Sequence, residues 1–252
     1  GGAAVLSVRL TVPGGEVPVA AVTGVGVRPD HRRRGILTAL MRRQLDDFRA
    51  AGEPLAILWA SEAAIYHRFG YGFAAGDGRL EIDPRRTSYA REYLPEGRVR
   101  LVCEEESASL IPPVYEAMRR LTPGAISRSD DWWKQVLADP EYSRRGQSPK
   151  FRVVNEANGR PEGYALYRIK DDWDHTGPQN VLNVSEAVTN TPRALRELWR
   201  YLFEVDLVVK VRAGRVSVPM PLQYLLAEPR ALGLVAGDGL WVRLVDLPAA
   251  LA

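Results

Sequence analysis

The residues that decide the fold of this chain are Gly24-Val25-Gly26-Val27-Arg28-Pro29-Asp30-His31-Arg32-Arg33-Arg34-Gly35-Ile36-Leu37. They end an apolar, β-branched run over 17–27, which predicts a buried strand. They lead into apolar positions at helical spacing, which predict a helix from about Gly35 to Gly52. The start of a helix presents unpaired N–H groups and the positive end of the helix dipole. This layout therefore predicts an anion-binding site in the basic loop, with a pyrophosphate as the expected ligand.

Three arginines, Arg32, Arg33 and Arg34, stand directly before Gly35. Guanidinium groups supply fixed charge and forked donors for phosphate, and a glycine lets a ligand approach the backbone closely. A solvated basic turn is the alternative interpretation. The loop is not a P-loop, because no Gly-Lys-Ser/Thr follows, and it lacks the G-x-G-x-x-G pattern of dinucleotide-binding domains.

The elements after this loop indicate an α/β fold. Residues 55–60 are uniformly apolar and too few for a helix, so they predict a central strand. Ser61 is expected to cap a short helix that carries Glu62 in its first turn and ends at Gly70. Residues 71–73 then return as a strand. The order strand, helix, strand, helix, strand is typical of an α/β domain.

A polar stretch with two prolines, 83–97, is interpreted as a linker between two domains, 1–82 and 98–252. The second domain repeats the order of the first, with strands followed by a helix, a strand, a helix and a strand. A duplicated fold is therefore expected.

The composition excludes several classes of protein. The chain has 252 residues, a formal net charge of +3 and 46% hydrophobic residues, so a folded core is expected and the charge indicates neither a nucleic-acid nor a membrane partner. One cysteine excludes an internal disulfide framework, and three scattered histidines offer no metal-ligand spacing. No run of about 18 apolar residues and no basic leader is present, so a cytoplasmic protein is expected.

Both ends of the chain are interpreted as internal to a longer protein. It lacks an initiator Met, opens in or just before a strand, and closes with Pro248 at the first turn of a new helix.

Tyr66 is the candidate catalytic residue. It follows the strand over 55–60 by one turn, and groups at the ends of neighbouring parallel strands meet near the ligand in an α/β fold. Phenols are protonated at neutral pH, so this side chain can donate a proton to a leaving group. The alternative is a tyrosine packed in the core, since Ile65 and Phe69 beside it are apolar.

The loop and the tyrosine together resemble the GCN5-related N-acetyltransferase superfamily. Its loop pattern R/Q-x-x-G-x-G/A matches residues 32–37, with Leu37 in place of the final small residue, and its later tyrosine and Gly-aromatic pair match Tyr66 and Gly70-Tyr71. Further stretches narrow the resemblance to the Eis (enhanced intracellular survival) family of actinobacterial acetyltransferases. They are Val25-x-Val27-x-Pro29-x-His31-Arg32-Arg33-Arg34-Gly35, Trp59-Ala60-Ser61-Glu62, Ile65-Tyr66-x-Arg68-Phe69-Gly70-Tyr71-Gly72, Ser127-Arg128-x-Asp130-x-Trp132-Trp133, Pro161-x-Gly163-Tyr164 and Asp238-Gly239-Leu240-Trp241.

The resemblance implies acetyl-CoA as the co-substrate and no metal. It implies that Tyr66 protonates the departing thiolate. The residues implied to hold acetyl-CoA are Val25, Gly26 and Val27 at the acetyl and pantetheine arm, Arg32, Arg33, Arg34, Gly35, Ile36, Leu37 and Thr38 at the pyrophosphate, and Ser61 and Glu62 along the arm.

The resemblance also implies an α/β (α+β) fold of two tandem acetyltransferase-like domains, each a mixed sheet flanked by helices, with the first incomplete at its N-terminus. The second domain is expected not to bind coenzyme A in the same way, because the turn after 181–188 has no glycine and Pro192 lacks an N–H group. In the family the general base is the carboxylate at the end of a third domain. It is expected to lie outside this chain, which should then acetylate poorly.

The acceptors implied by the family are amines, namely aminoglycoside antibiotics, with resistance as the consequence, and protein lysines. The implied assembly is a homohexamer, and members of the family are also secreted. Two further hypotheses are a non-catalytic acetyl-CoA-binding or assembly module and a nucleic-acid binder that uses residues 32–34. Asp30 beside the basic loop and the near-neutral net charge disfavour the last of these.

Overall fold

The computed structural model describes residues 1–251. The strands are β1 (Gly2–Val12), β2 (Gly15–Gly26), β3 (Leu55–Trp59), β4 (Gly72–Ile82), β5 (Arg98–Leu101), β6 (Phe151–Ala157), β7 (Arg160–Lys170), β8 (Trp173–Asp174), β9 (Gly177–Pro178), β10 (Asn180–Thr189), β11 (Val208–Val216) and β12 (Val235–Leu244). The α-helices are α1 (Ile36–Ala50), α2 (Ala63–His67), α3 (Glu104–Leu121), α4 (Asp130–Leu137), α5 (Pro192–Phe203) and α6 (Leu247–Leu251). In this part of the chain, no helix combines the length and the apolar character that crossing a membrane requires.

The chain forms two compact units that are interleaved in sequence. The first unit contains 1–76, 119–128 and 238–251, and the second contains 77–118 and 129–237. The sequence-based division places 119–128 and the C-terminal residues with the second unit instead. Long-range pairing explains the difference, because β12 pairs antiparallel with β3 and the N–H group of Thr11 donates to the carbonyl of Ala125 at 2.9 Å. The domain limits at 82 and 98 stay predictions.

The first unit is built on a mixed sheet. β1 pairs antiparallel with β2, β2 pairs parallel with β3, and β3 pairs antiparallel with β12. Parallel neighbours need a crossover connection, and α1 supplies it. Met41 and Phe48 on the inner face of α1 are buried against Ala20 and Ala56 of the sheet. The strand and helix predicted around the basic loop are confirmed.

The second unit contains the same strand–helix–strand arrangement. β10 pairs parallel with β11 across the connecting helix α5, and β10, β7, β6 and β5 continue as antiparallel neighbours. β6 and β7 form a hairpin, and its turn residues Asn158 and Gly159 both have positive φ, at 52° and 72°. The buried cluster of this unit includes Leu198, Trp199 and Leu202 of α5.

The starts of α2, α4 and α5 differ in how they are capped. Ser129 caps α4, with its hydroxyl accepting from the N–H group of Trp132 at 3.2 Å, and Pro192 is the first residue of α5. The prediction that Ser61 caps α2 is wrong. The N-cap residue is Glu62, which is still extended at φ −142° and makes no side-chain cap, so Ser61 lies one residue too early.

Residues within the predicted linker pack against α5. The hydroxyl of Tyr89 donates to the carbonyl of Arg196 at 2.7 Å, and the guanidinium of Arg196 lies 4.6 Å from the centre of the Tyr93 ring. This part of 83–97 is therefore fixed to the second unit by specific contacts.

A buried carboxylate, Glu197, is the polar centre of this attachment. It accepts a short hydrogen bond from the hydroxyl of Tyr93, two from the N–H groups of Glu96 and Gly97 at 2.9 Å each, and one from Asn155 Nδ2 at 2.5 Å. Burial alone would raise the pKa of Glu197, but these donors hold it below its ordinary value of 4.5.

We expect Glu197→Gln to lower the free energy of unfolding by about 2 kcal/mol at pH 7, because the amide turns one acceptor into a donor that faces other donors. Since the pKa is lower in the folded chain than in the unfolded chain, the carboxylate stabilises the fold above about pH 4.5, and this contribution is lost as the pH falls further. Urea denaturation at pH 7 and below pH 4 measures both effects.

The matched control is Glu204→Gln at the C-cap of the same helix, where the carboxylate is exposed and pairs with Arg200. Exposed pairs contribute little, so this variant should match the wild type. Equal losses in the two variants, or a loss for Glu197→Gln that does not narrow in acid, would contradict the assignment.

Candidate functional site

A break in the pairing between β2 and β3 opens the site. The two strands pair at Val19–Leu55, Ala20–Ala56 and Ala21–Ile57, although each continues beyond the last of these pairs. On its other edge β2 follows β1 to its end, with a register shift where Gly24 adopts φ 59°. A bulge of this kind bends a strand and increases its twist. Pairing with β3 has already ended at this point, and residues 25–27 lie beside the resulting gap.

The start of α1 forms the second side of the site. Its N-cap residue, Gly35, has φ 75°, a conformation that favours glycine, and no side chain caps the helix. The first internal hydrogen bond runs from Ala39 N–H to the Gly35 carbonyl at 3.0 Å. The N–H groups of residues 36–38 have no acceptor within residues 1–251. They form an uncapped helix start that favours an anion.

These two features border an open cavity of 530 Å³. The predicted site residues that the structure brings together there are Val25, Gly26, Val27, Arg32, Arg33, Gly35, Ile36, Leu37, Thr38, Ser61, Glu62 and Tyr66. Arg34 is not in the cavity lining, and its guanidinium lies 3.5 Å from His31 Nδ1. Among the described residues, no cluster suited to a metal ion is found.

The cavity carries an excess of positive charge. Arg32 and Arg33 lie in its wall and form no ion pair with any carboxylate of residues 1–251, whereas the nearby Arg28 is held by Asp30 at 3.0 Å. Glu62 is the carboxylate in the lining. Unpaired guanidinium groups beside an uncapped helix start make this wall suited to phosphate.

Tyr66 lies on α2 and is one of the residues that line the cavity. It is 7% exposed, and its ring meets that of Tyr71 edge-on at a centroid distance of 6.1 Å. Its carbonyl accepts from the N–H groups of Phe69 and Tyr71 at 3.0 and 3.2 Å. Most of the ring is therefore fixed by packing while the residue still borders the cavity.

The turn after α2 depends on a residue that is distant in sequence. Gly70 has φ 75°, and a Cβ atom added there would lie 1.7 Å from a terminal nitrogen of Arg243 on β12. Arg243 thus packs directly over the glycine that ends the Tyr66 segment. Burial also raises the pKa of the adjacent Tyr71, which keeps this second phenol neutral.

Sequence reasoning missed three residues of the lining, His31, Ile65 and Arg68. All three lie inside motifs that carry the resemblance, so position in the motif was an available signal. The spacing of apolar residues did not predict that His31 and Arg68 face the cavity. His31 lies in a short turn and Arg68 follows the last residue of α2, so neither belongs to a regular helical pattern.

Two family models match the chain. Both are described as an acetyltransferase (GNAT) domain, and they cover residues 1–74 and 124–244. The two matches agree with the predicted α/β fold of two tandem acetyltransferase-like domains, which is confirmed.

Individual relatives match over nearly the whole chain. An uncharacterized N-acetyltransferase of Streptomyces avermitilis is 41% identical over 256 residues, which cover 100% of this chain and 62% of the relative. The N-acetyltransferase Eis of Mycobacterium tuberculosis is 36% identical over 256 residues, covering 98% of this chain and 60% of that protein. The crystal structure of Eis1 from Mycobacterium abscessus superposes with a TM-score of 0.80 at 37% identity, covering 100% of this chain and 63% of that one.

The chain thus spans about three fifths of the length of the curated relatives it matches. The domain models, the identity and the shared fold agree with the resemblance seen in the sequence motifs. The chain therefore belongs to the Eis family of GCN5-related N-acetyltransferases.

Proposed function

We propose that the first unit binds acetyl-CoA in the cavity beside α1 and transfers its acetyl group to an amine. The observation that carries the proposal is the uncapped start of α1, which opens into a cavity next to the unpaired Arg32 and Arg33. Family membership supports an acetyltransferase, and acetyl-CoA is the anion that this chemistry requires.

The pyrophosphate of coenzyme A fits the start of α1. The N–H groups of Ile36, Leu37 and Thr38 supply donors, the helix dipole supplies positive potential, and Arg32 and Arg33 supply charge. A Cβ atom at Gly35 would meet nothing within 4 Å, so the backbone there is open to a ligand.

The pantetheine arm fits the gap between β2 and β3. Beyond Ala21 the edge of β2 that faces β3 has no strand partner, so backbone groups near residues 25–27 are available to an amide-containing ligand. Their N–H groups can also orient and polarise the thioester carbonyl, where negative charge develops during transfer.

The transfer has three parts. An uncharged amine nitrogen attacks the thioester carbonyl carbon and forms the C–N bond, the C–S bond breaks, and coenzyme A leaves as a thiolate. Tyr66 donates its phenolic proton to the sulfur, and the nitrogen releases one proton to solvent as the amide forms. Solvent returns a proton to the Tyr66 phenolate, so that protons and charge balance. Ser61 and Glu62 border the arm, and the base that deprotonates the amine is assigned to no residue of this chain.

The second unit offers no equivalent phosphate site at the start of α5. Thr191 caps this helix by accepting from the N–H group of Ala194 at 3.1 Å, and Pro192 removes a further donor. The Glu162 carboxylate accepts from the Thr191 hydroxyl at 2.8 Å and from Arg193 at 2.6 Å. The protein's own carboxylate thus lies where a phosphate would bind, which supports a single site per chain.

Aminoglycosides and protein lysines are the proposed acceptors, by analogy with the family. A homohexamer and a cytoplasmic location also stay predictions.

We expect Arg33→Gln to weaken acetyl-CoA binding about tenfold, because a charge-assisted contact to the pyrophosphate is lost. Isothermal titration calorimetry measures the dissociation constant. Arg42→Gln removes the same charge from the exposed face of α1 outside the cavity and should bind normally. A similar loss in both variants would show a general charge effect instead of a specific contact.

We expect Tyr66→Phe to lower the rate of thiol release about a hundredfold while acetyl-CoA binding is retained, because only the proton donor is removed. Thiol release is followed with acetyl-CoA and an aminoglycoside. Tyr71→Phe is the control, since its hydroxyl is buried without a hydrogen-bond partner and its ring packs against the same tyrosine. Equal rates of amine-dependent release from the wild type and Tyr66→Phe would contradict the role of Tyr66 as the proton donor.

We expect one acetyl-CoA bound per chain, because only α1 has an uncapped start among the two equivalent helices. The stoichiometry from the same calorimetric titration checks this value. Two equivalent sites would contradict the interpretation of Thr191 and Glu162.

A further inference from the structure

Arg68 brings a third unpaired cation to the cavity from a different wall. Arg32 and Arg33 lie in the loop before α1, whereas Arg68 is the residue that follows α2. Within residues 1–251, Arg68 forms no ion pair with a carboxylate, although many arginines of this chain do.

Two contacts orient the side chain of Arg68 but leave most of its hydrogen-bonding groups unused. Its Nε donates to the carbonyl of Ile65 at 3.4 Å, and its Cζ lies 5.7 Å from the centre of the Phe69 ring. These contacts leave both terminal nitrogens available, and the residue is exposed. The forked N–H groups of a guanidinium match the oxygens of a phosphate.

Coenzyme A carries a second phosphorylated position besides its pyrophosphate, namely the ribose 3′-phosphate. The start of α1 with Arg32 and Arg33 accounts for the pyrophosphate, and the imidazole of His31, which also lines the cavity, already contacts Asp30 at 3.5 Å. A phosphate monoester bears between one and two negative charges at neutral pH and needs its own cation. Arg68 is the cavity cation that has no other assigned partner.

We propose that Arg68 binds the ribose 3′-phosphate and makes the site selective for coenzyme A over 3′-dephospho-coenzyme A. This inference rests on the proposed acetyl-CoA site and adds to it a residue that discriminates between two ligands with the same pantetheine and pyrophosphate.

Calorimetric titration of the wild type, Arg68→Gln and Arg42→Gln with coenzyme A and with 3′-dephospho-coenzyme A tests the proposal. The wild type should bind coenzyme A about tenfold more tightly than the dephospho form. Arg68→Gln should bind coenzyme A about tenfold more weakly, leave the affinity for the dephospho form unchanged, and so abolish the preference. Arg68→Lys should keep part of the preference because it keeps the charge. Arg42→Gln should behave as the wild type.

Each other outcome has a distinct meaning. Equal weakening of both ligands by Arg68→Gln, or a wild type without preference, overturns the 3′-phosphate assignment and leaves the acetyl-CoA site intact. Failure of the wild type to bind either ligand overturns the proposed function itself. Thermal melting of the ligand-free variants checks their fold, and if Arg68→Gln is unfolded, the preference of Arg68→Lys decides the question by the same comparison.

Discussion

The end of backbone pairing between β2 and β3 is the constraint on which the rest of the site depends. Parallel strands that stayed paired to their ends would bury every N–H and carbonyl group between them. Here pairing between β2 and β3 ends at Ala21, and the register of β2 against β1 shifts at Gly24, so the last residues of β2 keep a free edge beside β3. The same departure sets the position from which the chain enters the basic loop and then α1. One irregular strand therefore supplies both the gap and the helix start.

The second unit shows that the scaffold alone does not create the site. It has the same parallel pair, β10 and β11, connected by a helix on the same pattern. The difference lies at the helix start. Gly35 has no side chain to cap α1, whereas the hydroxyl of Thr191 accepts a hydrogen bond from an N–H group in the first turn of α5. Glu162 then supplies the negative charge that the helix start favours, with its pKa held low by Arg193. A capped helix stabilises the fold, whereas an uncapped helix is left available to a ligand.

Local patterns predicted what depends on nearby residues. The loop before Gly35 and the segment of Tyr66 were found because strand, loop and helix succeed one another in sequence, and the structure brings both to one cavity. The contacts that support them were not predictable in this way. The positive φ of Gly24 accompanies a register shift against β1, and the side chain of Arg243 packs directly against Gly70. Residues 119–128 form hydrogen bonds with β1 across a long sequence separation. Ser61 was misassigned because capping preference does not show where an extended segment ends.

The close packing of Arg243 over Gly70 affects where the limits of the first unit are drawn. The first acetyltransferase model ends at residue 74, yet β12 pairs with β3 along five positions and places Arg243 over the turn that fixes Tyr66. Trp241 on the same strand is buried in the core that holds Tyr66 and packs edge-on against His67 at 4.8 Å. Residues far beyond the matched segment therefore complete the packing around the proposed proton donor. In the first unit, β12 both extends the sheet beside β3 and supplies the side chains that pack around Tyr66 and Gly70.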